Sequence, residues 1–547
     1  MVTRPVSGHG PRPRSARRLV TAAAALIAVV LAACQNTSGP DTGAADAESG
    51  DPVTGGTLVL GIQSDPSPLN PNLTTNGPTQ QIGTMIYEPL VYFDNEAAEP
   101  KPVLAESWEI SDDGLTYTFH LVDATFSNGD PLTSTDVKYT IEEVSAPMFA
   151  PFAQAASVIE SIDDSDPKTV VITLTEPFGP LLLSLTRVWI LPASVFQGTD
   201  PLTNPASIDQ PVGTGPFVLD EVSRGSQWTL TRNPDYWQED RPYLDSVVAR
   251  VVPDAQSATL ALAAGEIQYI SSQVISPTDV QALVQRNQAL AHPDSFAPNM
   301  TQVFFNTTRD ITGDPAVRHA LAMAIDREFL LENVFQGGGE VARAPFDSRL
   351  EWAYNDEVDF DELYPYDPEA AGKALDEAGY PMRGDSRFSL TILAEGASRF
   401  QEVAEAIRSM LLEIGVDAQV SAPEASVATE QAFTAPGDFD LYIQSYTTNW
   451  DPALGIARAY VSTSIGTPFG NASGYSNPEV DELFAAGRSG TTEEERAEPY
   501  RQVQEILAED LPVMPLIETK LNDAHAPNVN GVWYAANWGQ WQEAWVG

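Results

Sequence analysis

Cysteine is almost absent from this chain: among 547 residues the only thiol is that of Cys34. No disulfide framework is available, and zinc sites of the usual kinds are disfavoured. Histidine is scarce too; His9, His120, His292, His319 and His525 include no pair at metal-ligand spacing. Basic residues number 29 against 76 acidic ones. Five of the basic residues and none of the acidic ones precede residue 34, which leaves the remainder at net −52 with histidine neutral. A surface this negative repels phosphate backbones and speaks against nucleic-acid binding. The acids are spread along the chain, as solubility would have them; attraction of cationic solutes is the functional alternative. Catalytic signatures are missing as well: there is no G-x-S-x-G elbow, no Walker A loop and no dinucleotide fingerprint. Thr135-Asp-Val-Lys138 has the spacing of a nucleophile–lysine pair but reads as a capped helix start, and Gly337-Gly-Gly339 reads as a loop. Asp112-Asp113 and Asp163-Asp164 could imitate a glycosidase dyad. Among 76 carboxylates such adjacent pairs arise by chance. No catalytic residue, metal site or cofactor is expected.

One hydrophobic run stands out, over residues 19–33, and it is too short to span a bilayer. It follows Arg4, Arg12, Arg14, Arg17 and Arg18 and ends in small residues, the layout of a secretory signal over 1–33. Arg17-Arg18 leaves the export route open. Leu31-Ala-Ala-Cys34 looks like the bacterial lipobox, in which small residues fit the signal peptidase and the thiol after the cut takes a lipid. Cys34 is thus the expected lipidation site, and the acyl chains would hold the mature protein on the outer face of the membrane without spanning it. Residues 34–53 are rich in Ser, Gly, Ala and Asp and read as a flexible tether. About 490 residues remain, enough for two or three domains by length. None of them forms a membrane-length apolar run.

The body alternates strand and helix signals throughout, which gives an α/β or α+β class. Strands are predicted over 57–62, 115–121, 169–175, 247–252, 301–306, 388–393 and 439–446, several with period-2 alternation. Asp314-Pro315 opens a helix whose apolar face runs through Val317, Leu321, Ala324, Ile325 and Phe329. Asp367-Pro368 opens another, closed by Gly379 with Pro381 beyond it. Phe400, Val403, Ile407, Leu411 and Ile414 make a third stripe that ends at Gly415, and Asn477-Pro478 repeats the start signal.

Between these elements runs an ordered series of short blocks. Pro102-Val-Leu-Ala-Glu-Ser-Trp-Glu-Ile110, Asp113-Gly-Leu-Thr-Tyr-Thr-Phe-His-Leu121, Phe126-Ser-Asn-Gly-Asp-Pro-Leu132 and Thr135-Asp-Val137 follow one another. Around them stand Gly56-Thr-Leu-Val59, Ile86-Tyr-Glu-Pro-Leu-Val91, Gly213-Thr-Gly-Pro-Phe217 and Arg232-Asn-Pro-Asp-Tyr-Trp237. Later come Asn306-Thr307, Val317-Arg-His-Ala-Leu-Ala-Met-Ala-Ile-Asp-Arg327, Tyr475-Ser-Asn-Pro-Glu-Val-Asp481 and 512–516. In this order they closely resemble the large bacterial extracellular solute-binding proteins of family 5, the peptide, oligopeptide and nickel group.

The resemblance implies a two-lobe clamshell of the periplasmic-binding-protein kind, type II, of the large class with an extra subdomain. Lobe I would comprise 54–92, 213–297 and 513–547, the added subdomain 93–212, and lobe II 298–512. The chain would cross between lobes near 296–305 and 513–518. It also implies capture of a small solute by lobe closure and delivery to the permease and ATPase of an ABC importer, without catalysis and as a monomer. Peptide is the first expectation, because most of the family is described that way. Nickel or heme chelates, sugars and cationic antibiotics are alternatives; the rivals outside transport are a lipid-anchored hydrolase and use of the same fold as a sensor or an extracellular peptide-binding chaperone. Three stretches match cleft-facing parts of the family. They supply Ser64, Asp65 and Asn70; Trp352 and Tyr354; and Tyr446, Thr448, Asn449, Trp450 and Asp451. For Trp352, Tyr354 and Trp450, core packing is an equal alternative, and Asp451-Pro452 equally suits a turn or a cap. One departure matters. Members that hold a peptide by its free amino terminus place an aspartate three residues before the Asp of this Asp-Pro; here that position is Thr448, and Ser445 stands where they often carry tryptophan. A hydroxyl cannot neutralise a buried ammonium, so either the solute is not a simple free-amine peptide or another acid holds it.

Overall fold

Strand Thr57–Ile62 buries Leu58, Leu60 and Ile62 and lies parallel to strands on both sides, Ser246–Val251 and Tyr269–Ile270. It sits at the centre of a seven-stranded sheet completed by Phe217–Ser223, Gln227–Arg232, Asp523–His525 and Leu290–His292. The computed structural model describes residues 51–94, 99–272, 274–292, 298–396, 398–434, 437–520, 522–532 and 540–547. The expected signal, Cys34 and the tether up to residue 50 lie outside them. No helix among the described residues is long and apolar enough to cross a membrane.

A six-stranded sheet forms the second half, in the order Gly339–Val341, Val513–Thr519, Asn299–Phe305, Leu441–Thr447, Phe388–Leu393 and Val416–Ser421. Helices Pro315–Met323, Pro368–Glu377 and Arg399–Glu413 pack on one face and helices Pro478–Ser489 and Glu493–Asp510 on the other. Asp367 caps its helix by accepting from the Ala370 N–H at 2.9 Å, and Gly379 beyond the end takes φ +93°, the left-handed turn a C′ glycine permits. The helix expected to run from Asp314 past Phe329 is interrupted. It stops at Met323, and Asp326 accepts from the Phe329 N–H at 2.8 Å to cap a new helix, Arg327–Asn333. The change of axis turns Phe329 out to solvent.

A four-stranded antiparallel sheet, ordered Ala105–Ile110, Thr116–Leu121, Thr169–Leu174 and Ile159–Asp166, carries the inserted region. Its Tyr117, Phe119, Val170 and Ile172 share one core with Leu58, Leu60 and Trp228 of the seven-stranded half. The insert is therefore an extension of the first lobe's core. The second half has separate cores. The family-like blocks have local reasons. Gly215 donates its N–H to the Ile86 carbonyl at 2.8 Å, and a Cβ there would lie 2.6 Å from that carbonyl carbon, so only glycine allows the approach. Glu88 is buried and accepts from the Tyr236 hydroxyl at 2.7 Å and Trp237 Nε1 at 3.0 Å, which joins the Ile86–Val91 block to the Arg232–Trp237 block.

Burial pushes the Glu88 carboxyl from 4.5 up to about 7, against the pull of those two donors. Because the folded value lies above the unfolded one, the neutral acid favours folding fully below pH 4.5, and this contribution is lost as pH rises through about 7. Glu88→Gln, which carries no charge, should gain on the wild type by about 1–3 kcal/mol between roughly pH 5 and pH 8, read as the difference in urea-unfolding free energy. A difference that stays constant over that window contradicts the assignment.

Candidate functional site

The chain passes between the two sheets twice, and the passages run side by side. Strands Asn299–Phe305 and Val513–Thr519 pair antiparallel in the six-stranded sheet; beyond them Leu290–His292 and Asp523–His525 pair antiparallel in the seven-stranded one. The expected lobe boundary before residue 513 therefore needs correction. Val513–Thr519 hydrogen-bonds within the six-stranded sheet along its whole length, and the return comes after Thr519. At this end of the sheet the Thr519 hydroxyl donates to the Asn299 carbonyl at 3.0 Å, and the Thr448 N–H donates to the Pro298 carbonyl at 2.9 Å. Strand Leu441–Thr447 thus delivers its C-terminal loop to the junction between the lobes.

That loop has an unusual backbone. Asn449 and Trp450 both lie in the left-handed region, at φ 50° and 63°, and a tryptophan is seldom found there. Such a pair costs of order 1–3 kcal/mol per residue and persists only when the surroundings hold it. The holding groups are visible. Asn449 Nδ2 donates to the Leu454 carbonyl at 3.1 Å, and Asp451 accepts from the Ala453 N–H at 2.9 Å. Asp451 also takes a bidentate ion pair from Arg496 Nη2 at 2.7 and 2.6 Å, with both side chains about 5–6% exposed. Arg496 Nε donates to the Gly487 carbonyl at 2.7 Å, and its guanidinium lies 4.9 Å from the Trp352 ring and 5.9 Å from the Tyr500 ring. Burial alone would lower the Arg496 pKa; the Asp451 carboxylate outweighs it and raises it above the usual guanidinium range.

The loop reaches the first lobe. The Trp450 ring meets Phe93 in a tilted contact, with centroids 5.7 Å apart and planes at 31°, and Leu454 packs against the first lobe's core. Further out, Arg488 pairs with Glu176 at 2.7 Å and its carbonyl accepts from the Gly179 N–H at 2.9 Å. The lobes therefore meet along a seam formed by the insert and the loops around Asn449 and Arg488.

The other expected site residues are distributed as follows. Trp352 is half-buried, edge-on to Tyr500 at 5.6 Å, and joined to Asp451 through Arg496. Tyr354 is half-buried against the second lobe's core; burial first, and Glu518 next, push its hydroxyl up to about 12. Tyr446 is corrected to a core position. It is 1% exposed, its ring sits 5.2 Å from Phe304, and its hydroxyl donates to the Gly470 carbonyl at 2.6 Å. Thr448 is fully buried and its hydroxyl donates to the Pro298 carbonyl at 3.3 Å, so it faces the crossing strand. On the first lobe, Asp65 accepts from Gly225 N–H at 2.7 Å and Trp228 Nε1 at 2.9 Å. Asn70 is buried, accepts from the Asn72 N–H at 3.0 Å and donates to Ser207 Oγ at 3.2 Å; both residues fix the loop from within. Ser64 is exposed on that loop. Among the described residues no hydrogen bond, ion pair or ring contact joins these three to the Thr448–Asp451 loop.

Sequence reasoning missed Phe93, Arg496 and Glu518. The first two lie hundreds or tens of residues from their partners and carry no local signal. Glu518 did carry one, as a lone acid at the end of the apolar run 513–517. It is buried and accepts from the N–H and hydroxyl of Ser348. Burial and then the neighbouring Asp347, itself held by Arg349 at 2.6–2.8 Å, push its carboxyl up to about 7. Among the described residues no group of acids and histidines could hold a metal ion.

Two sheets with their own cores, joined by paired crossing strands and meeting along the seam around Trp450 and Arg488, define a two-lobe binding protein of mixed α/β type with an inserted subdomain. The family described as bacterial extracellular solute-binding proteins, family 5 middle, matches residues 99–467, and this chain belongs to that family. It is similar to the glutathione-binding protein GsiB of Escherichia coli O1:K1 / APEC, at 28% identity over 87% of this chain and 91% of the relative. It is also similar to heme-binding protein A of Haemophilus influenzae, at 29% over 94% and 95%. Among solved structures, the oligopeptide-binding protein AppA of Bacillus subtilis, in complex with a nonapeptide, superposes with a TM-score of 0.72 at 26% identity over 91% of this chain and all of the other. HbpA2 of Haemophilus parasuis superposes at 0.78, with 26% identity over 90% and 100%. The chain is an extracytoplasmic solute-binding protein.

Proposed function

We propose that this protein is the capture subunit of an ABC importer, takes up a peptide by closing its lobes around it, and performs no chemistry on it. The observation that carries the reading is the Trp450–Phe93 contact, made from a strained loop beside the crossing strands to the opposite lobe. Closure is then a population shift, driven by whatever preference the solute has for the closed form. Ser64, Trp352, Tyr354, Asn449 and Trp450, with Phe93 added, are the cleft residues; Asp65, Asn70, Tyr446, Thr448 and Asp451 hold them in place. The lobes divide at residues 297/298 and after 519, with 93–212 as the insert. A lipid on Cys34 and the tether to residue 53 keep the monomer near its permease and raise the effective concentration there.

Peptide is supported by the nonapeptide complex of AppA; glutathione and heme in the names of other relatives support the alternatives. The alternatives gain from one observation. Thr448, hydrogen-bonded to Pro298 and sealed from solvent, offers no counter-charge to a peptide amine. Native mass spectrometry of protein purified from its host without its lipid tests the reading: a peptide mass or a ladder of them is expected, whereas a single non-peptide mass overturns the peptide class and keeps the binding class.

A further inference from the structure

Beyond the two crossings, no strand of one large sheet pairs with the other among the described residues, so side chains and loops hold the lobes face to face. One such contact is built into the insert. Its loop 176–180 follows strand Thr169–Leu174 and is anchored from behind. Phe178 is 1% exposed in the first lobe's core, and the Tyr117 hydroxyl donates to the Phe178 carbonyl at 3.4 Å. The loop meets the turn between helices Pro478–Ser489 and Glu493–Asp510 of the second lobe. There the Gly179 N–H donates to the Arg488 carbonyl at 2.9 Å, and Glu176 pairs with Arg488 Nη2 at 2.7 Å.

The approach is as close as a backbone permits. A Cβ on Gly179 would lie 2.5 Å from the Gly490 carbonyl oxygen, 2.8 Å from Arg496 Cδ and 2.9 Å from Arg496 Nε. Beside it, a Cβ on Gly114 would lie 2.6 Å from Thr491 Cγ2. Gly114 needs glycine for its own turn, at φ +67°, whereas Gly179 lies outside the left-handed region. At 179 it is the opposite lobe that requires glycine, and the loop's own conformation does not. The residue it presses on also matters. Arg496 is the buried partner of Asp451, which follows Trp450, so the insert bears directly on the side chain that holds the Trp450 loop.

We infer that Gly179, Glu176 and Arg488 are positioning residues for capture, forming a latch through which the insert stabilises the closed form. The inference rests on the lobe-closure reading above and gives the insert a part in it. Every contact of the latch is protein to protein, so it acts on the closed population and scales the affinity for any solute alike. The ion pair is its weaker part, because both side chains are about a third to a half exposed. The glycine contact is the stronger part.

The test titrates tri-alanine into the wild type, Gly179→Ala, Arg488→Glu and the exchanged pair Glu176→Arg/Arg488→Glu by calorimetry. Urea unfolding of each empty protein and scattering of the wild type with and without tri-alanine accompany it. Gly179→Ala should bind at least about tenfold more weakly with a nearly unchanged unfolding free energy, because its clash exists only when the lobes meet. Arg488→Glu should bind about two- to fivefold more weakly, and the exchanged pair should return to within about twofold of the wild type. A residue that only packs gives no such rescue. Gly179→Ala binding within about twofold of the wild type overturns the inference, whether or not that variant unfolds earlier, and so does an exchanged pair no better than Arg488→Glu. In either case a wild-type radius of gyration that shrinks with tri-alanine leaves closure standing without the latch. A wild type that binds tri-alanine at constant radius, or does not bind it, overturns both readings.

Discussion

Asp451→Asn is expected to destabilise the second lobe by about 3–5 kcal/mol, because it leaves Arg496 charged, buried and without its counter-ion. The pair is about 5–6% exposed, and both carboxylate oxygens are engaged. Its loss reaches three elements at once. Asp451 also caps the turn Pro452–Leu454, Arg496 ties helix Glu493–Asp510 to Gly487, and Trp352 stacks on the guanidinium. Asparagine can still cap the turn, so the capping contribution is kept and the charge is what the variant removes. Arg496→Met alone should cost a similar amount, since it strands the carboxylate. The double variant Asp451→Asn/Arg496→Met should recover most of either loss, because no buried charge remains. Urea unfolding of the four proteins completes the cycle. Single variants within about 1 kcal/mol of wild type would mean the pair contributes no more than a surface ion pair.

The second large effect falls on binding. Trp450→Ala should weaken capture of the retained solute by about 30- to 100-fold while leaving the unfolding free energy of the empty protein nearly unchanged. Burying an aromatic ring contributes about 1.5–3 kcal/mol, and an aromatic pair adds about 0.5–1.5 kcal/mol. The Phe93 contact exists only when the lobes meet, so its loss is subtracted from closure. Alanine keeps the left-handed backbone at φ 63°, which the hydrogen bonds of Asn449 and Asp451 continue to hold, so the empty protein loses little. Trp450→Phe, which retains a ring, should lose about tenfold or less. An alanine variant that binds as tightly as the wild type would place the solute away from this seam.

Where local signals were strong, structure was legible in the residues. Strands 57–62 and 388–393 appear with the predicted bounds, and Asp367 and Gly379 cap the helix they were expected to cap. The miss at Phe329 shows the limit of periodicity. Asp326 competes as a second N-cap and breaks one apolar stripe into two helices, although nothing in the spacing of the stripe marks the break. The candidate site was legible only as a proposed location. The resemblance pointed to the loop at Thr448–Asp451, but what each residue does there depends on partners far along the chain. Arg496 turns Asp451 into half of a buried ion pair, Pro298 turns Thr448 inward, and Gly470 holds Tyr446 in the core. Phe93 meets Trp450 only because the insert shares a core with the first lobe. These are contacts of the assembled lobes, and no window of sequence contains both members.

Solution X-ray scattering tests the central claim most directly. The protein is stripped of its solute, measured, resupplied with the solute recovered from it, and measured again. Capture by lobe closure predicts a smaller radius of gyration on resupply, with the change diminished in Trp450→Ala at the same solute concentration. A radius that stays constant while calorimetry shows the solute bound would contradict closure as the means of capture.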